Sequence, residues 1–118
     1  MSDALNAGDD LVFQLESGFG LLRVLAIDGE GADTVWHLLA YDEFFPDVES
    51  AEVALARPTS LPVRKAHMAL TNRAFERTPV ARLGNRPVTD DELIAYKQWL
   101  DTDRTVSDRS VLLMLGIR

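Results

Sequence analysis

The chain has 118 residues, of which 47% are apolar, carries a formal net charge of −7 and contains no cysteine. These values fit one domain with a sizeable core, exclude a disordered chain, and remove disulfides, thiol catalysis and thiolate metal sites together. The charge is divided along the chain: residues 1 to 56 hold twelve carboxylates against Arg23 alone, whereas residues 57 to 86 hold seven basic side chains against Glu76 alone.

Residues 1 to 9 are small and polar and follow neither the helical nor the strand period, which predicts a flexible N-terminal arm before a single globular domain over 10 to 118. Met1-Ser2-Asp3-Ala4 lacks a basic region followed by an apolar run, and no stretch reaches the length of a membrane span. With no cysteine to suggest an oxidising compartment, a cytoplasmic protein without a membrane anchor is expected. Leu11 to Leu15 and Phe19 to Ile27 are β-favouring runs separated by Glu16-Ser17-Gly18, a hairpin turn by its chemistry. After a second turn at Asp28-Gly29-Glu30-Gly31, Thr34 to Tyr41 predicts a third strand and completes a meander.

Beyond Pro46, the residues Val48, Ala51 and Leu55 recur at helical spacing behind Asp47, a capping residue. Pro58 and Pro62 punctuate a connector. Lys65 to Thr71 alternates as a strand, and Phe75 to Leu83 is predicted to return along it after an Asn72-Arg73 turn, giving a second hairpin that carries most of the basic cluster. Thr89-Asp90-Asp91-Glu92 is a capping box that opens a helix with Leu93, Tyr96 and Leu100 on its inner face and Trp99 at the margin. Ser107 is the expected cap of a last short helix through Val111, Leu112 and Leu115, stopped by Gly116.

Few residues point to chemistry. His37 and His67 lie in predicted strands thirty residues apart, able to meet across a sheet but lacking the spacing of a metal motif, so ordinary packing is expected and no metal or cofactor. Ser17, His37 and Asp42 make a triad only on paper, without a Gly-x-Ser-x-Gly elbow, and Gly18-Phe19-Gly20 is a turn signal, not a dinucleotide motif. The acid pairs Asp9-Asp10, Asp42-Glu43 and Asp90-Asp91 read as solvated faces and caps. Phe44 and Phe45 follow two acids and precede a proline, where they serve either as apolar anchors of an acidic-rimmed interface or as core staples, or one as each. The basic segment, with Phe75 nearby, could face nucleic acid, but a pI near 4.7 and the acidic half oppose a phosphate backbone. Pairing of the two halves, within one chain or in a homodimer, is the expected alternative.

The runs Gly8-Asp9-Asp10-Leu11-Val12-Phe13-Gln14-Leu15 and Gly18-Phe19-Gly20-Leu21-Leu22-Arg23-Val24-Leu25, with Tyr41-Asp42-Glu43-Phe44-Phe45-Pro46 and Leu83-Gly84-Asn85-Arg86-Pro87, resemble segments of a family of small barrel-like immunity proteins from bacterial polymorphic toxin systems. Thr78-Pro79-Val80 stands where that family carries a tryptophan-containing strand. The resemblance implies a binding protein that neutralises a cognate toxin, without catalysis. It also implies an SH3-like architecture, and the expected class is α+β: a strongly bent antiparallel sheet or small barrel of about five strands with two or three short helices. An acidic half would independently complement a basic protein partner such as a nuclease, with Asp28, Glu30, Asp33, Asp42, Glu43, Phe44, Asp47 and Glu49 as the candidate contacts. The alternatives are a small ligand-binding domain or enzyme with a pocket on the concave face of the sheet, using His37, His67, Tyr41 or Arg23, and a self-associating regulatory domain.

Overall fold

A computed structural model describes residues 4–57 and 60–117 of the chain. Strands β1 (Asp9–Leu15) and β2 (Gly18–Asp28) form a hairpin closed by the Leu15–Gly18 pair, and β3 (Val35–Tyr41) adds antiparallel to β2 after a 3-10 turn at Gly31–Asp33. This is the meander that the turn signals predict. Strand β4 (Val63–Thr71) extends it beside β3, and β5 (Val80–Asn85) pairs with β1, giving the order β4-β3-β2-β1-β5. The expected class is therefore present, a five-stranded antiparallel sheet with short helices. The sheet stays open, with β4 and β5 at its two edges, instead of closing into a barrel.

The second hairpin does not form. Thr71 caps a short helix, α2 (Asn72–Glu76), its hydroxyl accepting a hydrogen bond from the Ala74 N–H, and Phe75 is buried in a stack on Trp36 with ring centroids 4.3 Å apart. Burying Ala74 and Phe75 on one helical turn outweighs the strand alternation that favours a return along β4. The chain instead crosses to the far edge of the sheet.

Side chains alternate between the two faces of the strands. Leu11, Phe13, Leu22, Val24, Leu38 and Met68 form one core beneath α2 and α4 (Val111–Leu115). Val12, Leu21, Leu25, Leu39 and Tyr41 form the other beneath α1 (Val48–Leu55). Coverage of both faces explains why β1 and β2 read as nearly continuous apolar runs. Asp47 caps α1, accepting from the Ser50 N–H at 2.7 Å, as its position predicts. The capping box is also present: the Glu92 N–H donates to Thr89 Oγ1 at 3.2 Å and the Thr89 N–H to Glu92 Oε1 at 3.0 Å, one turn ahead of α3 (Ile94–Leu100). Helix α4 ends at Gly116 (φ 68°) as expected, but Ser110 caps it; Ser107 instead bridges the edge of β4, between Ala69 and Thr71.

The arm expected over residues 1 to 9 does not reach its last residues. Leu5 packs on the first core, Gly8 donates to the Val24 carbonyl at 2.7 Å, and Asp9 opens β1. No helix among the described residues is long and apolar enough to cross a membrane.

Candidate functional site

Arg23 stands inside the apolar run of β2 and is fully buried, so every N–H of its guanidinium needs an acceptor. Glu92 of the capping box receives Nε at 2.5 Å and Nη2 at 3.1 Å. Nη1 donates to the Gly8 carbonyl at 2.9 Å and to Asp10 at 3.2 Å, and Nη2 reaches the carbonyls of Arg86 and Pro87, both at 3.0 Å. Arg86 brings a second guanidinium to Asp10 at 2.7 and 2.8 Å, while Arg82 and Asn85 bond Asp9 at 3.0 and 2.8 Å. Asp9 and Asp10, expected as a solvated pair, are thus 0% and 3% exposed, because β5 supplies their partners. Burial would raise the Asp9 pKa, but hydrogen bonds from Asn85, the Asn6 N–H and Arg82 outweigh it and hold the carboxyl below its usual range. Glu92 is likewise held low, burial being outweighed by Arg23 and the Thr89 N–H.

The ligand-pocket candidates fall into two groups. Arg23 has no donor left for a ligand, and Tyr41 is buried beside Arg86, whose Nη2 reaches its hydroxyl at 3.4 Å; burial raises the phenol pKa. The histidines do meet: His37 Nδ1 lies 2.9 Å from His67 Nε2, and His37 Nε2 lies 2.8 Å from Asp28, which also accepts from the Tyr96 hydroxyl at 3.0 Å. A carboxylate only accepts, so His37 carries its proton on Nε2 and receives one from His67 Nε2–H at Nδ1. Tyr96 and Trp99 of α3 pack over both rings. Burial pushes the His37 pKa down against the pull of Asp28, and burial together with His37 pushes His67 down to about 4. The paper triad is not assembled, since His37 bonds Asp28 while Asp42 pairs with Arg64 at 2.7 Å. Among the described residues no group of three or more His, Asp or Glu could hold a metal ion.

The eight acidic-surface candidates lie at opposite ends of β3. Asp28, Glu30 and Asp33 surround the β2–β3 turn, with Asp28 engaged by His37 and Tyr96 and the other two exposed. Asp42, Glu43, Phe44, Asp47 and Glu49 follow the far end of the strand. Phe44 is 40% exposed and Phe45 8%, so one ring is surface and one is core. The guanidinium of Arg64 lies 5.9 Å from the centroid of the exposed ring.

No protein-family model, no curated protein and no solved structure matches this chain. The chain's own geometry is therefore what bears on its use.

Two cavities lie side by side on the second face of the sheet. One, of about 380 Å3, is floored by Leu39, Tyr41, Leu61 and Val63 and rimmed by Arg86 and Asp91. The other, of about 490 Å3, shares Leu39, Val63, Asp91 and Glu92 with it and continues along Ala66 and Ile94. The shared residues join them into one trough between β4 and the segment leading into α3.

Of the four residues expected to line a pocket, Tyr41 lines this trough, whereas His37, His67 and Arg23 are not among its lining residues; the buried ionic network was not foreseen. The network left one trace, a lone arginine amid apolar strand residues. The trough's wall includes the capping-box residues Thr89, Asp91 and Glu92, but the motif reads as a helix start and does not disclose that β4 lies opposite it.

Proposed function

We propose that the protein is a binding domain, not an enzyme, and that it engages a basic protein partner through the acidic segment between β3 and α1. The observation that carries this is the fate of the charges. Much of the sequence's basic cluster is neutralised by pairing: Arg64, Arg82 and Arg86 pair with Asp42, Asp9 and Asp10, and Arg73 with Asp108. Glu43, Glu49 and Glu52 are instead exposed and outside any ion pair among the described residues, in the same segment as Phe44, and residues 42 to 56 contain no base. An exposed aromatic ring in a segment whose unpaired charges are all carboxylates is the composition of an interface anchor with a steering rim. Neutralisation of a toxin domain, the role implied by the resemblance, is the specific form of this reading.

The test is affinity capture from the native lysate at low and high salt, followed by association kinetics with the captured protein. Glu43→Lys combined with Glu49→Lys, both outside the ion pairs, should slow association by roughly tenfold and flatten its salt dependence. Unchanged kinetics would remove this surface from the interface, and capture of no basic protein would remove the reading.

A further inference from the structure

We infer that the trough between β4 and α3 is a docking cleft for a lysine or arginine side chain presented by an extended segment of a protein partner. This deepens the binding reading above and rests on it for the nature of the partner, although the cleft itself can be tested without that partner.

The cleft has the right shape and lining. Its two lobes, about 380 and 490 Å3, each fall within the range of ligand pockets, and Leu39, Leu61 and Val63 offer an aliphatic floor. Val63 and Ile94 at its margin are 48% and 52% exposed, an unusual degree for large apolar side chains facing each other across a groove. Such a floor suits the methylene stem of a basic side chain, which buries its carbons while its charged tip reaches a polar rim.

Charge decides the sign of that tip. Beside the cleft, Arg23 and Arg86 are balanced by Asp10 and Glu92 through direct ion pairs. Asp91 lines both lobes and, among the described residues, neither it nor Asp90 makes a salt bridge. Arg64 turns away to the Leu115 carbonyl and Asp42. Among the charged residues that line the cleft, Arg86 and Glu92 are paired and Asp91 is not, so the unpaired lining charge is negative, which disfavours an anionic head and favours a cation. The cleft is also continuous with the proposed interface: Leu61 and Val63 flank Pro62, whose carbonyl accepts from the Asp42 N–H at 2.7 Å, two residues before Phe44.

The experiment uses 15N-labelled whole protein titrated with acetyl-Leu-Arg-Leu-amide and, separately, acetyl-Leu-Glu-Leu-amide. Saturable shifts are expected at the amides of Val63, Ala66, Ile94 and Ala95, with binding of the arginine peptide tighter by roughly fivefold. Asp91→Asn should weaken the arginine peptide by roughly threefold. Ala66→Arg, at an exposed strand position, should place the protein's own guanidinium in the cleft and abolish binding while the thermal midpoint is kept. Equal binding of both peptides, preference for the glutamate peptide, or no saturable shift at these amides would overturn the proposal. So would concentration-dependent shifts of the same amides without peptide, which would identify a second copy as the occupant. If Ala66→Arg leaves capture of a basic partner intact while the Glu43→Lys, Glu49→Lys variant loses it, the cleft fails and the binding reading survives. If the arginine peptide binds in the cleft but no basic protein is captured, the cleft stands and the acidic-segment interface fails.

Discussion

Arg23 organises more of the molecule than any other side chain. A guanidinium removed from water loses several kcal/mol of solvation, and recovery depends on filling all of its donors. Here two carboxylates and three backbone carbonyls do so, and the carbonyls of Gly8, Arg86 and Pro87 come from two segments that the Arg86 N–H also joins directly, donating to the Gly8 carbonyl at 2.9 Å. Gly8 is forced by this arrangement: its φ is +92°, and a Cβ there would fall 2.3 Å from the Arg86 carbonyl oxygen. Arg23→Met should destabilise the protein by roughly 3–5 kcal/mol, read from the urea midpoint, because Glu92 loses its cation, Asp10 keeps only Arg86, and three backbone carbonyls lose a donor. Arg23→Lys should recover only part of this, since a single ammonium cannot span the carboxylate and the carbonyls together. The sequence hints at the burial of Arg23, set between Leu22 and Val24, but hides its acceptors. Backbone carbonyls have no side-chain signature, and Glu92 lies 69 residues away, already explained as a helix cap.

Helices and strands were legible wherever local chemistry decided them. Asp47 before α1, the turn between β1 and β2, and Gly116 after α4 each act within a few residues, and the structure has them where the sequence predicts. The second hairpin was misread because β5 finds its partner in β1, about seventy residues upstream, and nothing local distinguishes that pairing from a return along β4. Helix α3 shows a different dependence. Its capping box was readable, yet its packing rests on Tyr96 and Trp99 lying over the histidine pair, which only the register of β3 and β4 brings together. Both imidazoles are neutral in the fold, with pKa values below the ordinary 6.5, so as pH falls the unfolded chain takes up protons first. Their contribution to stability is complete above about 6.5 and is lost as pH falls toward about 4. The thermal midpoint should therefore drop between pH 7 and pH 5, and His67→Gln should flatten that drop. Asp9, Glu92 and Asp108 act in a lower window: their folded pKa values are depressed, to about 2 for Asp108, which Arg73 and Thr71 hold down. Stability from these carboxylates is present above their unfolded values and disappears only in stronger acid.

For the molecule as a whole, the net charge of −7 is not spread evenly, because ion pairing neutralises Arg64, Arg73, Arg82 and Arg86 while Glu43, Glu49 and Glu52 after β3 make no ion pair among the described residues. That asymmetry was legible as two blocks of charge; which charges would be paired was not, since the partners of Arg82 and Arg86 depend on the long-range placement of β5. The same placement governs the order in which the protein can be made. The first strand of the sheet needs the last one, and the arginine in the second strand needs residues 86, 87 and 92. A growing chain that has released only the β1–β4 meander still has an unpaired edge on β1 and a cation without most of its acceptors, so long-range closure must precede stability. A chain ended at Thr78 should accordingly show no cooperative unfolding transition by circular dichroism, whereas a cooperative one would mean that the meander is self-sufficient. During synthesis this protein should stay open until nearly four fifths of it has left the ribosome, and it should depend over that interval on whatever shields nascent chains from aggregation.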